Sequence, residues 1–124
     1  MIVVDSSALI AMLRREPGGR KILPLLSELV ISAVNLSEVL ERQAPDMAPV
    51  DLAEELTALG IEIVAATQAQ AVVAAELKAI KVKGGLSLGD RFCLALGRER
   101  GAKVVTADRA WVGLPHGVEV ESIR

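Results

Sequence analysis

The stretch Gly84–Leu96, GGLSLGDRFCLAL, predicts a buried helix that begins with a capped turn. Ser87 precedes Asp90 by three residues, which is the spacing of a capping box between a helix N-cap and its third helical residue. Apolar residues then fill Phe92–Leu96 without a break, so we expect this helix to be buried on most of its surface. A carboxylate on the first turn of a core helix indicates a functional use.

Short apolar runs alternate with helical patterns along the rest of the chain. Strands are predicted at Met1–Val4, Val30–Ser32, Ile61–Val64 and Val104–Thr106, with a short edge strand at Val118–Val120. Helices are predicted at Ser6–Leu13, Arg20–Leu29, Asn35 to about Gln43, Val50–Leu59, from the cap Thr67 through Ile80, and Ser87 to near Gly101, with a helical turn at Asp108–Trp111. In the second of these, Pro24 is expected either to kink the helix or to delay its start. This alternation predicts an α/β fold, a parallel sheet with helices on both faces.

Length and composition predict one domain over residues 1–124. No apolar run reaches the roughly 20 residues of a membrane span, and no signal segment precedes the first strand, so no membrane partner is expected. The single cysteine, Cys93, excludes an internal disulfide and favours a cytoplasmic protein. A hydrophobic content of 52% exceeds the globular norm and indicates a partner or a self-interface.

The charge balance limits how this chain could recognise nucleic acid. A net charge of −2 argues against a generally basic binder, and an aromatic content of 2% leaves almost no platform for stacking bases. Any contact with nucleic acid is therefore expected to involve the sugar-phosphate backbone.

Four acidic residues are predicted to meet at one edge of the sheet. Asp5 ends the first strand, and Asp108 lies two residues beyond the fourth. Glu38 and Asp90 are each predicted on the first turn of a helix that starts at the carboxyl edge of the sheet, where open α/β sheets bind their ligands.

Each acid alone also fits an ordinary helix-capping role. Capping does not explain why all four share one edge, because carboxylates brought together repel one another unless a cation lies between them. Oxygen ligands select a hard ion, Mg²⁺ or Mn²⁺, over zinc.

The only histidine, His116, lies in the predicted turn Leu114–Gly117 and is interpreted as structural. Without a histidine base, hydrolysis would depend on a metal-activated water, and phosphodiesters suit such a centre because their anionic oxygens bind the same ions.

At these positions the chain resembles the PIN-domain family and, within it, the VapC-type toxin ribonucleases. The matching segments are IVVDSSALIA at Ile2–Ala11, ISAVNLSEVL at Ile31–Leu40, GLSLGDRFCLALG at Gly85–Gly97 and VVTADRAW at Val104–Trp111. The resemblance implies a three-layer fold with strand order 3-2-1-4-5. It also implies Mg²⁺-dependent endonucleolytic cleavage of RNA, with Mn²⁺ as a substitute, a homodimer, and a VapB-type antitoxin peptide as partner.

The resemblance also assigns residues. Asp5, Glu38, Asp90 and Asp108 correspond to the family's acidic quartet, with Asp5 and Asp90 as the foremost direct metal ligands. Ser7 and Thr106 match hydroxyl positions that orient a carboxylate or the attacking water; both also fit an ordinary helix start or strand end.

Basic residues supply further candidates for contact with RNA. Arg91 lies beside Asp90 and is either a phosphate contact or part of a solvent-facing stripe with Arg98. The remaining candidates for salt-sensitive backbone contact, or plain surface charge, are Arg14, Arg15, Arg20, Lys21, Lys81 and Lys83. Trp111 is expected to pack its short turn against the domain rather than to stack on a base.

Three other classes of protein are alternatives to a nuclease. A response-regulator receiver needs paired acids after the first strand and a phosphoacceptor aspartate after the third, whereas Asp5 is followed by Ser6 and Val64 by Ala65. A haloacid-dehalogenase-like phosphatase needs a second aspartate where Ser7 stands. A non-catalytic PIN-like module that binds RNA or protein remains the alternative to a metal-dependent endoribonuclease.

Overall fold

A computed structural model describes residues 1–124 and contains one five-stranded sheet. The strands are β1 (Ile2–Val4), β2 (Leu29–Ser32), β3 (Glu62–Val64), β4 (Lys103–Thr106) and β5 (Val120–Ser122). Every neighbouring pair is parallel, and the order is β3-β2-β1-β4-β5. This confirms the predicted order 3-2-1-4-5 and places β1 at the centre of the sheet.

Five α-helices surround the sheet. They are α1 (Ser6–Leu13), α2 (Ala33–Gln43), α3 (Pro49–Ala58), α4 (Gln68–Leu77) and α5 (Leu88–Arg100). Three short 3₁₀ helices connect them, at Gly19–Lys21, Leu23–Glu28 and Arg109–Trp111. No helix reaches the length and apolar content that crossing a bilayer requires.

The helices form two layers because successive strand residues point to opposite faces of the sheet. Val4 belongs to the core that α1, α2 and α3 cover. Its neighbour Val3 belongs to the second core, which α5 and the end of α4 cover. Hydrophobic side chains therefore fill both faces, and the three-layer α/β fold is confirmed.

The caps of α4 and α5 follow their sequence signatures. Ser87 and Asp90 form a complete capping box at the start of α5, and Thr67 and Gln70 form one at the start of α4. Helix α5 ends at Arg100 and is capped by Gly101, whose left-handed φ of 57° suits glycine.

The predicted helix Arg20–Leu29 is wrong. The segment instead forms the 3₁₀ helices Gly19–Lys21 and Leu23–Glu28 before entering β2. Pro24 lies near the start of the second 3₁₀ helix, where its missing N–H and fixed φ oppose a continuous α-helix through this segment.

Two further boundaries differ from the prediction and change where side chains lie. Helix α2 begins at Ala33, with Ser32 as its N-cap, because the Ser32 hydroxyl accepts a hydrogen bond from the Val34 N–H at 3.2 Å. Asn35 is therefore inside the helix, and Glu38 lies on its second turn rather than its first. The last strand begins at Val120, two residues later than predicted.

Candidate active site

The four acids lie where the topology predicts, at the carboxyl edge of the parallel sheet. Asp5 directly follows β1, Glu38 is on the helix after β2, and Asp108 follows β4. Asp90 joins them because α5 runs into β4 and must begin at the same edge. Burial is the main cause of the raised pKa of Asp5 and of Asp90, and nearby charges add to it: those of Asp90 and Glu38 raise the pKa of Asp5, and those of Glu38 and Asp108 raise the pKa of Asp90.

Asp5 is the most deeply buried of the four, with 3% of its surface exposed. Its Oδ2 accepts hydrogen bonds from the Ser7 hydroxyl at 2.5 Å and from the Thr106 hydroxyl at 3.0 Å. Its Oδ1 is also buried but has no partner. An unpartnered carboxylate oxygen inside a protein is costly, so it needs an explanation such as a bound ion.

Burial raises the pKa of Asp5 from 3.8 to about 6, since desolvation outweighs the opposing hydrogen bonds from Ser7 and Thr106. Burial is also the main cause of the raised pKa of Asp90. Both carboxylates are thus less stable when ionised than in water, and a neighbouring cation would relieve this.

The Glu38 carboxylate accepts hydrogen bonds from α1 and from its own helix, α2. Its Oε1 accepts hydrogen bonds from the Ser6 hydroxyl of α1 at 3.0 Å and from the Asn35 amide of α2 at 2.9 Å. The same Asn35 amide donates to the carbonyl of Gly89 in α5 at 3.0 Å.

Asp90 and Asp108 do act as caps, which was the alternative role considered for each. Asp90 Oδ2 accepts from the Ser87 N–H at 2.8 Å, and Asp108 Oδ1 accepts from the Ala110 N–H at 2.9 Å. Capping occupies only one oxygen of each carboxylate, so it does not exclude a second use.

One pattern is common to the whole quartet: one oxygen of each carboxylate accepts hydrogen bonds from the protein, and the other accepts none. The free atoms are Oδ1 of Asp5, Oε2 of Glu38, Oδ1 of Asp90 and Oδ2 of Asp108. This all-oxygen set, with its buried orphan on Asp5, fits a hard divalent cation. As the side chains stand, no three acidic, histidine or cysteine side chains are close enough to surround one ion. The metal site therefore stays a prediction.

The predicted hydroxyl residues both contact Asp5. Ser7 Oγ lies 3.2 Å from Thr106 Oγ1 and also accepts from the Ala107 N–H at 3.0 Å. Thr106 Oγ1 accepts from the N–H of Asp108 at 3.0 Å. These bonds fix both hydroxyls so that they orient the Asp5 carboxylate.

Three other candidates have structural roles. Arg91 is half-buried and donates to the carbonyls of Leu86 at 3.2 Å and Ala74 at 3.0 Å. It therefore ties the loop before α5 to α4, which neither interpretation of Arg91 anticipated. His116 bonds the Trp111 carbonyl at 2.7 Å through Nε2, and both side chains are buried, as expected.

A cleft of about 530 Å³ opens beside Glu38, Ser6 and Ser7. Two arginines that the sequence analysis did not single out, Arg42 and Arg124, also line it. A second cleft of about 890 Å³ is lined by candidates that were singled out, namely Arg15, Arg20 and Lys21. Lys81 and Lys83 line neither cleft.

Comparison with known proteins identifies the fold at the level of family. Residues 2–115 match the PIN domain. The chain belongs to the PIN domain family. No curated protein sequence matches it significantly.

Solved structures share this PIN fold along almost their whole length. A toxin-antitoxin complex from Klebsiella pneumoniae is similar with a TM-score of 0.80 and 18% identity, over 100% of this chain and 98% of that one. The DNA-bound VapBC of Salmonella typhimurium has a TM-score of 0.73 and 19% identity, over 99% and 98%. VapC20 of Mycobacterium tuberculosis, described as a sarcin-ricin loop cleaving toxin, has a TM-score of 0.73 and 17% identity, over 95% and 99%.

Sequence reasoning did not find the residues that hold Glu38 in this PIN domain. The sequence predicts only the start of a helix at Ser6 and at Asn35. The spacing between Asn35 and Glu38 carried a signal, because residues three apart on a helix face each other. No sequence pattern indicated that Gly89, on the neighbouring helix α5, accepts a hydrogen bond from Asn35.

Proposed function

We propose that this PIN domain is a Mg²⁺- or Mn²⁺-dependent endoribonuclease that hydrolyses RNA phosphodiester bonds. The observation that carries the proposal is the buried Asp5 carboxylate, with one oxygen fixed by two hydroxyls and the other without a partner. Three more carboxylates lie at the same edge of the sheet, each with a free oxygen.

A divalent ion bound there would neutralise charge on the phosphate and lower the pKa of the attacking water. Asp5 and Asp90 are proposed as the direct ligands, with Glu38 and Asp108 completing the acidic set. Ser7 and Thr106 hold the Asp5 carboxylate through hydrogen bonds, so that its free oxygen keeps one direction.

RNA is the proposed substrate, and we expect contacts to its sugar-phosphate backbone rather than stacking on its bases, because aromatic residues make up only 2% of the chain. Arg42 and Arg124 line the cleft beside Glu38 together with Glu16 and Glu41, and we propose that the two arginines contact phosphates there. The Arg124 guanidinium is already fixed by the Pro17 carbonyl at 3.0 Å and the Glu16 carboxylate at 3.4 Å. The similar fold of VapC20, described as cleaving an RNA loop, supports this choice of substrate.

The biological role proposed is that of the toxin in a type II toxin–antitoxin pair, acting in the cytoplasm as a homodimer and held inactive by a VapB-type antitoxin peptide. The support is the similarity of the whole chain to the toxin-antitoxin complexes of Klebsiella pneumoniae and Salmonella typhimurium. Exposed apolar side chains such as Val50, Leu59, Ile63 and Val72 are available for such contacts.

Incubation of the purified protein with structured RNAs tests the activity. We expect internal cleavage with millimolar Mg²⁺ or Mn²⁺, and none with a chelator, because no lysine or arginine forms an ion pair with any of the four carboxylates. Asp90→Asn removes one proposed ligand but keeps a side chain that can cap α5, so it is expected to be folded and inactive.

The outcome separates the proposed nuclease from the alternative. Cleavage that persists in Asp90→Asn or in chelator would contradict a metal-dependent mechanism at these residues. Binding of RNA by the wild type without cleavage of any RNA would favour a non-catalytic PIN-like module.

A further inference from the structure

Asn35, the only asparagine of the chain, is completely buried between two of the acid-bearing helices. Its amide nitrogen donates to Glu38 Oε1 at 2.9 Å and to the Gly89 carbonyl at 3.0 Å. Both hydrogens of one amide group are therefore used to join the carboxylate on α2 to the first turn of α5, one residue before Asp90.

Gly89 makes this contact possible because it has no side chain. A Cβ added at Gly89 would overlap both carboxylate oxygens of Glu38. The residue lies within α5 and is not one of the positive-φ glycines. Its backbone conformation thus suits any residue, and the space that the Glu38 carboxylate occupies explains the glycine.

The side-chain oxygen of Asn35, Oδ1, is buried and has no hydrogen-bond partner. Rotating the amide by 180° would turn this oxygen toward two other acceptors, Glu38 Oε1 and the Gly89 carbonyl, so the orientation is fixed. The protein leaves one buried acceptor unpaired while using the amide to hold a carboxylate. Such a compromise is typical of functional sites rather than of cores optimised for stability.

We infer that Asn35 is a positioning residue that, together with the space left by Gly89, locks the Glu38 carboxylate against the first turn of α5 and so sets the affinity of the acidic site for a divalent ion. The inference rests on the metal-binding part of the proposed function. The Ser6 hydroxyl also donates a hydrogen bond to Glu38 Oε1, so Oε2 is the only oxygen of this carboxylate without a hydrogen-bond partner.

Two substitutions release Glu38 by different routes. Asn35→Leu keeps the approximate volume but removes the two donated hydrogen bonds, and Gly89→Ala places a methyl group where the carboxylate lies. Each is expected to raise the Mn²⁺ concentration that gives half of the maximal melting-temperature shift by about 10- to 100-fold, as loss of a partner that orients a ligand generally does. At saturating Mn²⁺, kcat is expected to fall while KM for RNA stays unchanged.

The metal-free melting temperature separates positioning from general damage. Gly89→Ala replaces glycine with a better helix former, which offsets part of the cost of displacing the Glu38 carboxylate. Asn35→Leu removes an unpaired buried acceptor but leaves the Gly89 carbonyl without the amide donor, so the two changes reach Glu38 with different effects on the metal-free fold. Because both substitutions act on one carboxylate, their effects are not expected to add. The half-saturating Mn²⁺ concentration of the double variant should not exceed that of the single variant that binds Mn²⁺ more weakly.

Gln70→Leu is the matched control. Gln70 is also a buried amide, and it donates to a glutamate on α5, Glu99, at 3.0 Å. This control is expected to lower the melting temperature but to change the half-saturating Mn²⁺ concentration less than twofold.

The inference is overturned if Asn35→Leu and Gly89→Ala keep the wild-type Mn²⁺ requirement, or if Gln70→Leu raises it equally. A wild type that binds Mn²⁺ without cleaving RNA would refute the proposed nuclease while the measured Mn²⁺ shift of the variants still supports the role of Asn35. A wild-type protein whose melting temperature does not change with Mn²⁺ would refute both the proposed nuclease and the role of Asn35.

Discussion

Asp5→Asn is expected to abolish metal-dependent RNA cleavage and to make the metal-free protein more stable. Asparagine keeps an oxygen that can accept from Ser7 and Thr106, so the two hydrogen bonds that fix this side chain survive. The substitution removes the negative charge of the proposed direct ligand. It also removes a buried ionised group from the neighbourhood of Asp90 and Glu38.

The two effects have different sizes. Loss of a direct ligand is expected to lower kcat/KM by about 10³-fold, equivalent to roughly 4 kcal/mol of transition-state stabilisation. The free energy of unfolding without metal is expected to rise by up to about 3 kcal/mol, which corresponds to the rise in the pKa of Asp5 from 3.8 to about 6.

Cleavage assays and urea unfolding in chelator measure the two effects on the same sample. Asp51→Asn is the matched control, because Asp51 is an exposed acid on the first turn of α3; it should leave both quantities close to wild type. Full cleavage by Asp5→Asn, or loss of stability in chelator, would contradict the account of this side chain.

The stability gap between Asp5→Asn and the wild type is expected to depend on pH. The pKa of Asp5 is about 6 in the folded protein and near 3.8 when unfolded, so the folded state binds the proton more tightly. The contribution of Asp5 to the free energy of unfolding is therefore fully present below about pH 4, falls as the pH rises to 6, and is constant above that. The raised pKa of Asp90 acts in the same direction.

Unfolding curves in chelator at pH 4.5 and pH 7.5 test this dependence. At pH 7.5 the variant should be the more stable protein, and the gap should shrink at pH 4.5 because the wild-type carboxyl group becomes protonated. A gap that stays constant or widens on acidification would show that Asp5 is not a buried acid of raised pKa.

The fold was predictable because its signals are local. A few consecutive residues are enough to predict a buried strand such as Met1–Val4 or a capping box such as that of Ser87 with Asp90. Parallel topology then carries Asp5, Glu38, Asp90 and Asp108 to one edge by general rules of connection.

The sequence predictions failed where two local signals compete, or where a residue's role depends on a contact with a residue far away in the sequence. Arg20–Leu29 has helical spacing, but Pro24 favours short 3₁₀ turns instead. Asn35 resembles an N-cap, and only the packing of α2 against α5 shows that its amide bridges Glu38 and Gly89. Arg124 reaches the cleft because β5 returns the end of the chain to the sheet, which no short pattern predicts.

Whether one ion joins the four free oxygens is the central question, since without metal no three of the side chains lie close enough together to hold it. A crystal structure of the protein with Mn²⁺, with the ion located by anomalous scattering, tests this most directly. We predict one peak bonded to Asp5 Oδ1 and to the free oxygen of Asp90, with Glu38 Oε2 facing the ion from the position that Asn35 fixes and with Asp108 turned toward it. A peak elsewhere, or none at this edge of the sheet in millimolar Mn²⁺, would contradict the account.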